Sequence, residues 1–324
     1  MAETNNPPGV FAALAGGFRL AANSMGPGLA VAILFGLGSA GGFHLALRSI
    51  DAIKGMDPAT STLISQGLTG LALFLGVYLV VQFGKRWSGA TTSSASWLPT
   101  LLFMPVALAA GSVAILRVAA QDYGMAAIMF AGMCFHLLYQ TFAGAAAAVM
   151  WVRAADAAER GEPVGFGELV DGCRRTFLRV AVPHGARIQA VAIGMQVLIP
   201  GIFYALQYAF VDMVAVLDPE RERVLERSGK LTWPLRQLLF RVLFVWLLMF
   251  ELVIWGVTVP IDGMEVVAKA FIDPRLLSFP ALVCQEVAYA ISLWLLTSTM
   301  LFLYNWRMAQ VRRRAAERQA AGQA

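Results

Sequence analysis

Glu251 stands alone as a charge in the middle of an apolar run, Val242–Ile261. A carboxylate at a membrane-helix centre costs about 2.5–3.5 kcal/mol on insertion scales, so such groups point to proton or substrate paths. Glu286, beside Gln285, lies near the start of the run Leu282–Tyr304. His136 and Gln140 are four residues apart within Tyr123–Trp151, a spacing that places them on one helix face. His44 lies near the end of the run Gly28–Leu47. Two readings compete. In one, Glu251 and His136 face an internal cavity as a proton or substrate relay. In the other, each is a hydrogen-bonding partner between helices. Three scattered histidines are too few for a convincing metal site. Cys134, Cys173 and Cys284 form no C-x-x-C pair and read as small apolar fillers. No nucleophile elbow, phosphate loop or H-E-x-x-H pattern occurs. The glycines of Gly36-Leu-Gly-Ser-Ala-Gly-Gly42 lie inside an apolar run and read as close helix packing. Neither a cofactor nor an enzymatic activity is expected.

The elements that carry these groups are long and apolar. Tyr123–Trp151 holds twenty-nine residues without a charge. Further runs lie at Gly28–Leu47, Ile64–Phe83, Trp97–Leu116, Ile188–Val211, Val242–Ile261 and Leu282–Tyr304. At 1.5 Å per residue, roughly 20 apolar residues cross a hydrocarbon core. The chain of 324 residues is 58% hydrophobic and 14% charged, with a mean hydropathy of +0.66. A soluble domain carries about 25% charged residues. The longest polar segment, 153–187, is too short for a soluble catalytic domain. The expected fold is therefore all-α: a polytopic membrane bundle of seven to eight segments with amphipathic helices at its surface. Met1–Pro8 lacks the basic and apolar regions of a signal peptide, so the chain is expected to be inserted uncleaved.

Lysine and arginine set the orientation, because positive loops stay in the cytoplasm. Segments 153–187 and 212–241 carry six each and flank the same apolar stretch. If that stretch turns back, twenty basic residues lie on the cytoplasmic side against five outside, and both termini are cytoplasmic. A single crossing gives only fourteen against eleven. Pro200 and Gly201 mark the hairpin break, since proline removes a donor and glycine permits reversal. Each arm would have about 15 residues, some 22 Å, short of a full crossing. One long kinked span is the alternative.

Two polar segments read as surface helices. From Phe166 to Val180, Phe166, Leu169, Val170, Cys173, Phe177 and Val180 share one face, opposite Glu168, Asp171, Arg175 and Arg179. A second helix is expected from an Asp218 N-cap, through Pro219, with Gly229 and then Pro234 terminating it. The tail, with Arg312, Arg313, Arg314 and Arg318, reads as a cytoplasmic stop and a contact to anionic headgroups, not to nucleic acid. A repeat is also legible. Phe11, Leu14, Gly17 and Arg19 recur 155 residues later as Phe166, Leu169, Gly172 and Arg174, and Trp151 recurs as Trp306. This is the pattern of a parallel internal duplication, with a pseudo-twofold axis along the membrane normal. The expected layout is a first half 1–152 (a surface helix plus four spans), a linker and amphipathic helix 153–187, a second half 188–310 and a basic tail 311–324.

Several marks in the second half occur in a recognisable order: the Phe166…Phe177 segment, Ile199-Pro200-Gly201-Ile202, Ala215–Pro219, Val224–Thr232 and Leu303-Tyr-Asn-Trp-Arg307. In these, residues 160–310 resemble the glycerophosphoryl diester phosphodiesterase membrane domain family and related bacterial multi-pass membrane proteins of unknown function. Trp233-Pro234 stands where that family usually has a glycine. The resemblance implies a multi-pass fold and no activity, because the hydrolytic residues of the family's namesakes belong to a fused domain that nothing here matches. The functional expectation is a non-enzymatic protein of the bacterial inner membrane that organises lipids or partner proteins, or that self-associates. The alternative is a transporter or channel-like protein with a buried Glu/His relay.

Overall fold

The structure is a computed structural model, and it describes residues 7–54, 123–195, 199–218, 223–268 and 274–321. The apolar runs Ile64–Phe83 and Trp97–Leu116, and Arg117 and Lys269, two of the five basic residues assigned to the far side, lie outside the described residues. Among the described residues every regular element is a helix. Three stretches are long and apolar enough to cross a membrane: Met25–Gly42, Ile199–Leu217 and Phe279–Ala320.

The first helix, α1 (Val10–Asn23), buries Ala13, Leu14, Gly17, Leu20 and Ala21, a stripe at helical spacing, and leaves Phe11 exposed. Ser24 ends it: its hydroxyl donates to the carbonyls of Leu20 and Ala21, and α2 (Met25–Lys54) begins at the next residue. In α2, glycines let neighbouring helices close in. A Cβ on Gly36 would lie 2.6 Å from Val287 Cα, and one on Gly28 would meet the Trp294 ring.

The 38-residue α3 (Tyr123–Arg160) rises about 57 Å, well beyond one hydrocarbon thickness. Its apolar part ends at Trp151, which is buried and donates from Nε1 to the Gly28 carbonyl at 3.1 Å. Gly161, at φ +72°, stops the helix in a conformation that favours glycine. The connection to α4 (Phe166–Met195) is short, and Glu168 reaches back to accept from the Gly165 N–H. The amphipathic segment read from the sequence is thus the first half of a longer helix that continues through Pro183. Its buried stripe is narrower than its pattern suggests. Leu169, Cys173 and Val180 pack inward, whereas Phe166 and Val170 stay exposed. Burial pushes the Cys173 thiol above its ordinary pKa, with Arg153 pulling the other way.

Beyond α4 the chain folds back on itself. Pro200 and Gly201 lie in the first turn of α5 (Ile199–Gln207), where proline's missing donor costs no helix bond, and α5 packs against α4. A turn over residues 208–210 leads into α6 (Val211–Leu217). This short helix is the centre of the core: every residue from Val211 to Val216 is buried, and Phe210 meets Tyr304 edge-on.

The next helix departs from the sequence reading. It runs Val224–Thr232 (α7), with Arg223 and not Asp218 at its N-cap, and it passes through Gly229 to end just before Trp233-Pro234. Asp218 is engaged elsewhere: its carbonyl accepts from Arg179 and its carboxylate lies 3.7 Å from Arg227 Nε. Gly229 stays helical because the α7 face packs on Gln207, whose carbonyl accepts from the Ser228 and Thr232 hydroxyls. On the outer face, hydrogen bonds from Lys230 and Arg223 hold the Glu226 carboxyl below its ordinary pKa. A 3-10 turn at Trp233–Leu235 joins α7 directly to α8 (Arg236–Ala268). Finally, α9 (Pro274–Ala321) carries the last span and the arginines of the tail in one 48-residue helix.

The packing order is crossed. The first surface helix, α1, lies on α9, at the far end of the chain, while the amphipathic start of α4 lies on α3. Helix α2 fills the space between α3 and α9.

Candidate functional site

The densest buried chemistry lies where α3, α4 and α6 meet. Helix α4 offers His184 and Arg187, three residues apart and therefore on neighbouring faces of one turn. Helix α6 offers Asp212, and α3 offers Gln140. His184, Asp212 and Gln140 are each at most 5% exposed. His184 Nδ1 lies 2.7 Å from Asp212 Oδ1, and an Arg187 guanidinium nitrogen lies 2.7 Å from Asp212 Oδ2. One carboxylate thus bridges an imidazole and a guanidinium, with both oxygens engaged.

The histidine ring has a second neighbour. Its Nε2 lies 3.2 Å from the Gln140 backbone carbonyl. The short Nδ1 contact with Asp212 places a proton on that nitrogen; a second Arg187 nitrogen is farther, at 3.3 Å. A neutral ring then has no proton left for Gln140, so the contact at Nε2 is a hydrogen bond only in the doubly protonated ring. Gly144, one turn beyond Gln140, makes room for this arrangement. A Cβ there would come within 3.1 Å of His184 Nε2 and 3.3 Å of Gln140 Oε1. The Gln140 side-chain Nε2 is buried without a hydrogen-bond partner.

Charges this deep carry a desolvation penalty of several kcal/mol per ion, offset only when their partners are in place. The cluster also ties together segments far apart in sequence. His184 and Asp212 are 28 residues apart, and Arg179 reaches Asp218 across 39. The apolar stretch between them therefore leaves this end of the bundle and comes back to it.

The residues singled out from sequence do not form one site. Gln140 belongs to the cluster just described. Glu286, half-buried on α9, accepts from the Ser39 hydroxyl at 2.8 Å. His136, one turn before Gln140, is exposed. Between them Tyr139 donates to the Phe35 carbonyl at 2.6 Å. Glu251 lies on the outer face of α8 among the exposed Leu247, Leu248, Leu252 and Val253, and among the described residues nothing joins it to His136. His44 packs its ring on Phe279. Sequence reasoning missed His184, Arg187 and Asp212. The signal was present: these residues sit immediately before and after the stretch Ile188–Val211, and a stretch that returns brings its two ends together.

Among the described residues no three His, Cys, Asp or Glu side chains converge as metal ligands would. Comparison of the chain with protein-family models, with curated proteins and with solved structures found no match.

Proposed function

We propose that this chain is a multi-pass protein of the bacterial inner membrane that organises lipids or partner proteins and performs no chemical conversion. One observation carries this reading: the most deeply buried charges are satisfied by one another. The Asp212 carboxylate is held from both sides by His184 and Arg187, which makes it a clasp on the returning segment. Among the described residues nothing joins Glu251 to His136, the two groups a relay would need.

The same reading holds that seven to eight segments form two related halves. Its support is that residues equivalent at the 155-residue offset have equivalent environments. Leu14 and Leu169 are both buried, Phe11 and Phe166 are both exposed, and Gly17 and Gly172 both sit at close helix approaches, to Thr299 and to Arg153. The contact of Arg179 with Asp218 gathers the two arginine-rich segments at one end, which by the positive-inside rule is the cytoplasmic one, with both termini. The basic tail then reaches anionic headgroups. The likeness of residues 160–310 to the glycerophosphoryl diester phosphodiesterase membrane domain family fits this picture and rests on the residues alone.

A carrier with a Glu/His relay is the second reading. It is favoured by one observation: Glu286 of α9 and Tyr139, which is one turn from His136 on α3, bond to the same face of α2, at Ser39 and at the Phe35 carbonyl. Proteoliposomes separate the two. Glu251→Gln, His136→Gln and Glu286→Gln are each expected to fold like the parent and to leave the proton flux of loaded vesicles unchanged. A gradient-driven flux in the parent that disappears in His136→Gln and Glu286→Gln overturns the organising role.

A further inference from the structure

A cleft of about 420 Å³ opens between the end of α3, the α3–α4 connection and the end of α6. That volume lies within the range of small-molecule sites, roughly 300–1,000 Å³. Its place in the fold is informative. Arg153 follows Trp151 by two residues, at the end of the twenty-nine-residue apolar run, the depth at which tryptophans mark the headgroup layer. Phe166 and Val170, exposed on α4, flank the lining residues Glu168 and Leu169 in sequence.

The charges of the cleft are divided unequally. Arg160 is paired with both Asp156 and Glu162, one positive charge against two negative. That corner therefore keeps a surplus of one negative charge. Arg153 has the opposite condition. Among the described residues it has no carboxylate at ion-pair distance, and its Nε is buried without a hydrogen-bond partner. Glu168 adds a third carboxylate to the lining, turned to accept from the Gly165 N–H, and the rest of the wall is apolar, with Val164, Val216 and Leu217. A guanidinium without a carboxylate partner matches a phosphate, a surplus carboxylate matches an ammonium, and an apolar wall accommodates the start of an acyl or glycerol chain.

We propose that this cleft binds a phosphoethanolamine headgroup, with the phosphate on Arg153 and the ammonium on the Asp156–Glu162 side. The assignment rests on the lipid-organising reading above and names its ligand. It also excludes close relatives. A phosphoglycerol headgroup brings no cation to the surplus carboxylate, and a quaternary choline has no N–H to donate to it.

The test measures lipid retained by the purified full-length chain after transfer from mixed vesicles of phosphatidylethanolamine, phosphatidylcholine and phosphatidylglycerol, read by native mass spectrometry. The parent is expected to retain phosphatidylethanolamine about tenfold over the other two. Arg153→Gln is expected to lose that preference. Glu162→Gln, on the exposed rim and safe for folding, is expected to shift retention toward phosphatidylglycerol. Free O-phosphoethanolamine that displaces the lipid at millimolar concentration assigns a soluble phosphoester to the same groups, and failure to displace it assigns the lipid. Equal retention of all three lipids by the parent, or an unchanged preference in both variants, overturns the site. Either result leaves the organising role to the separate flux experiment above.

Discussion

Asp212→Ala is expected to destabilise the protein by about 3–5 kcal/mol, the largest effect of any single substitution in the described residues. The carboxylate is buried between His184 and Arg187, so its removal leaves two basic groups facing each other without a counter-charge. The loss is read as a lowered unfolding midpoint in detergent micelles. Asp212→Asn keeps one oxygen for His184 and leaves Arg187 unmatched, so it should fall between parent and alanine. The triple replacement His184→Leu, Arg187→Met, Asp212→Leu removes all three polar groups and should recover most of the loss, because buried ion clusters replaced by apolar groups of similar volume are often neutral or better. A parent-like midpoint for Asp212→Ala contradicts the role of the cluster as the clasp on the returning segment.

Gly36→Ala is expected to cost about 1–3 kcal/mol, an overpacking penalty from a single methyl group. The new Cβ would sit 2.6 Å from Val287 Cα and 2.8 Å from its backbone nitrogen. Backbone cannot swing aside as a side-chain tip can, so α2 and α9 must separate. Gly17→Ala meets the same obstacle at Thr299, between α1 and α9. Gly26 and Gly41 are the controls, since a Cβ at either has nothing within 4 Å. Alanine at those positions should be neutral or stabilising by up to about 1 kcal/mol through helix propensity. Unfolding midpoints of the four variants check the contrast, and equal effects at all four contradict the close packing.

What the sequence makes legible is what depends on neighbours along the chain. The charge-free run ending at Trp151 and the stripe Leu14–Leu20 specify helices because burial at 3.6-residue spacing is a local pattern. The amphipathic start of α4 is legible for the same reason, through Leu169, Cys173 and Val180. What depends on packing is not. Asp218 looks like an N-cap in isolation, yet Arg179 of α4 and Arg227 of α7 engage it and the N-cap position falls to Arg223. Glu251 stands out by charge alone, and spacing says nothing of which way α8 turns it. His184 and Asp212 are unremarkable until the stretch between them reverses.

That reversal is the point on which topology, the clasp and the grouping of the arginine-rich segments all depend. Single cysteines at Asp171→Cys and Glu226→Cys, both exposed positions, in a chain with Cys134, Cys173 and Cys284 replaced by alanine, test it directly. A membrane-impermeant maleimide applied to intact cells and to inverted vesicles should label both sites only from the cytoplasmic side. Labelling of the two from opposite compartments means that the stretch Ile188–Val211 crosses once, and it contradicts the fold-back, the shared cytoplasmic face and the two-half arrangement together.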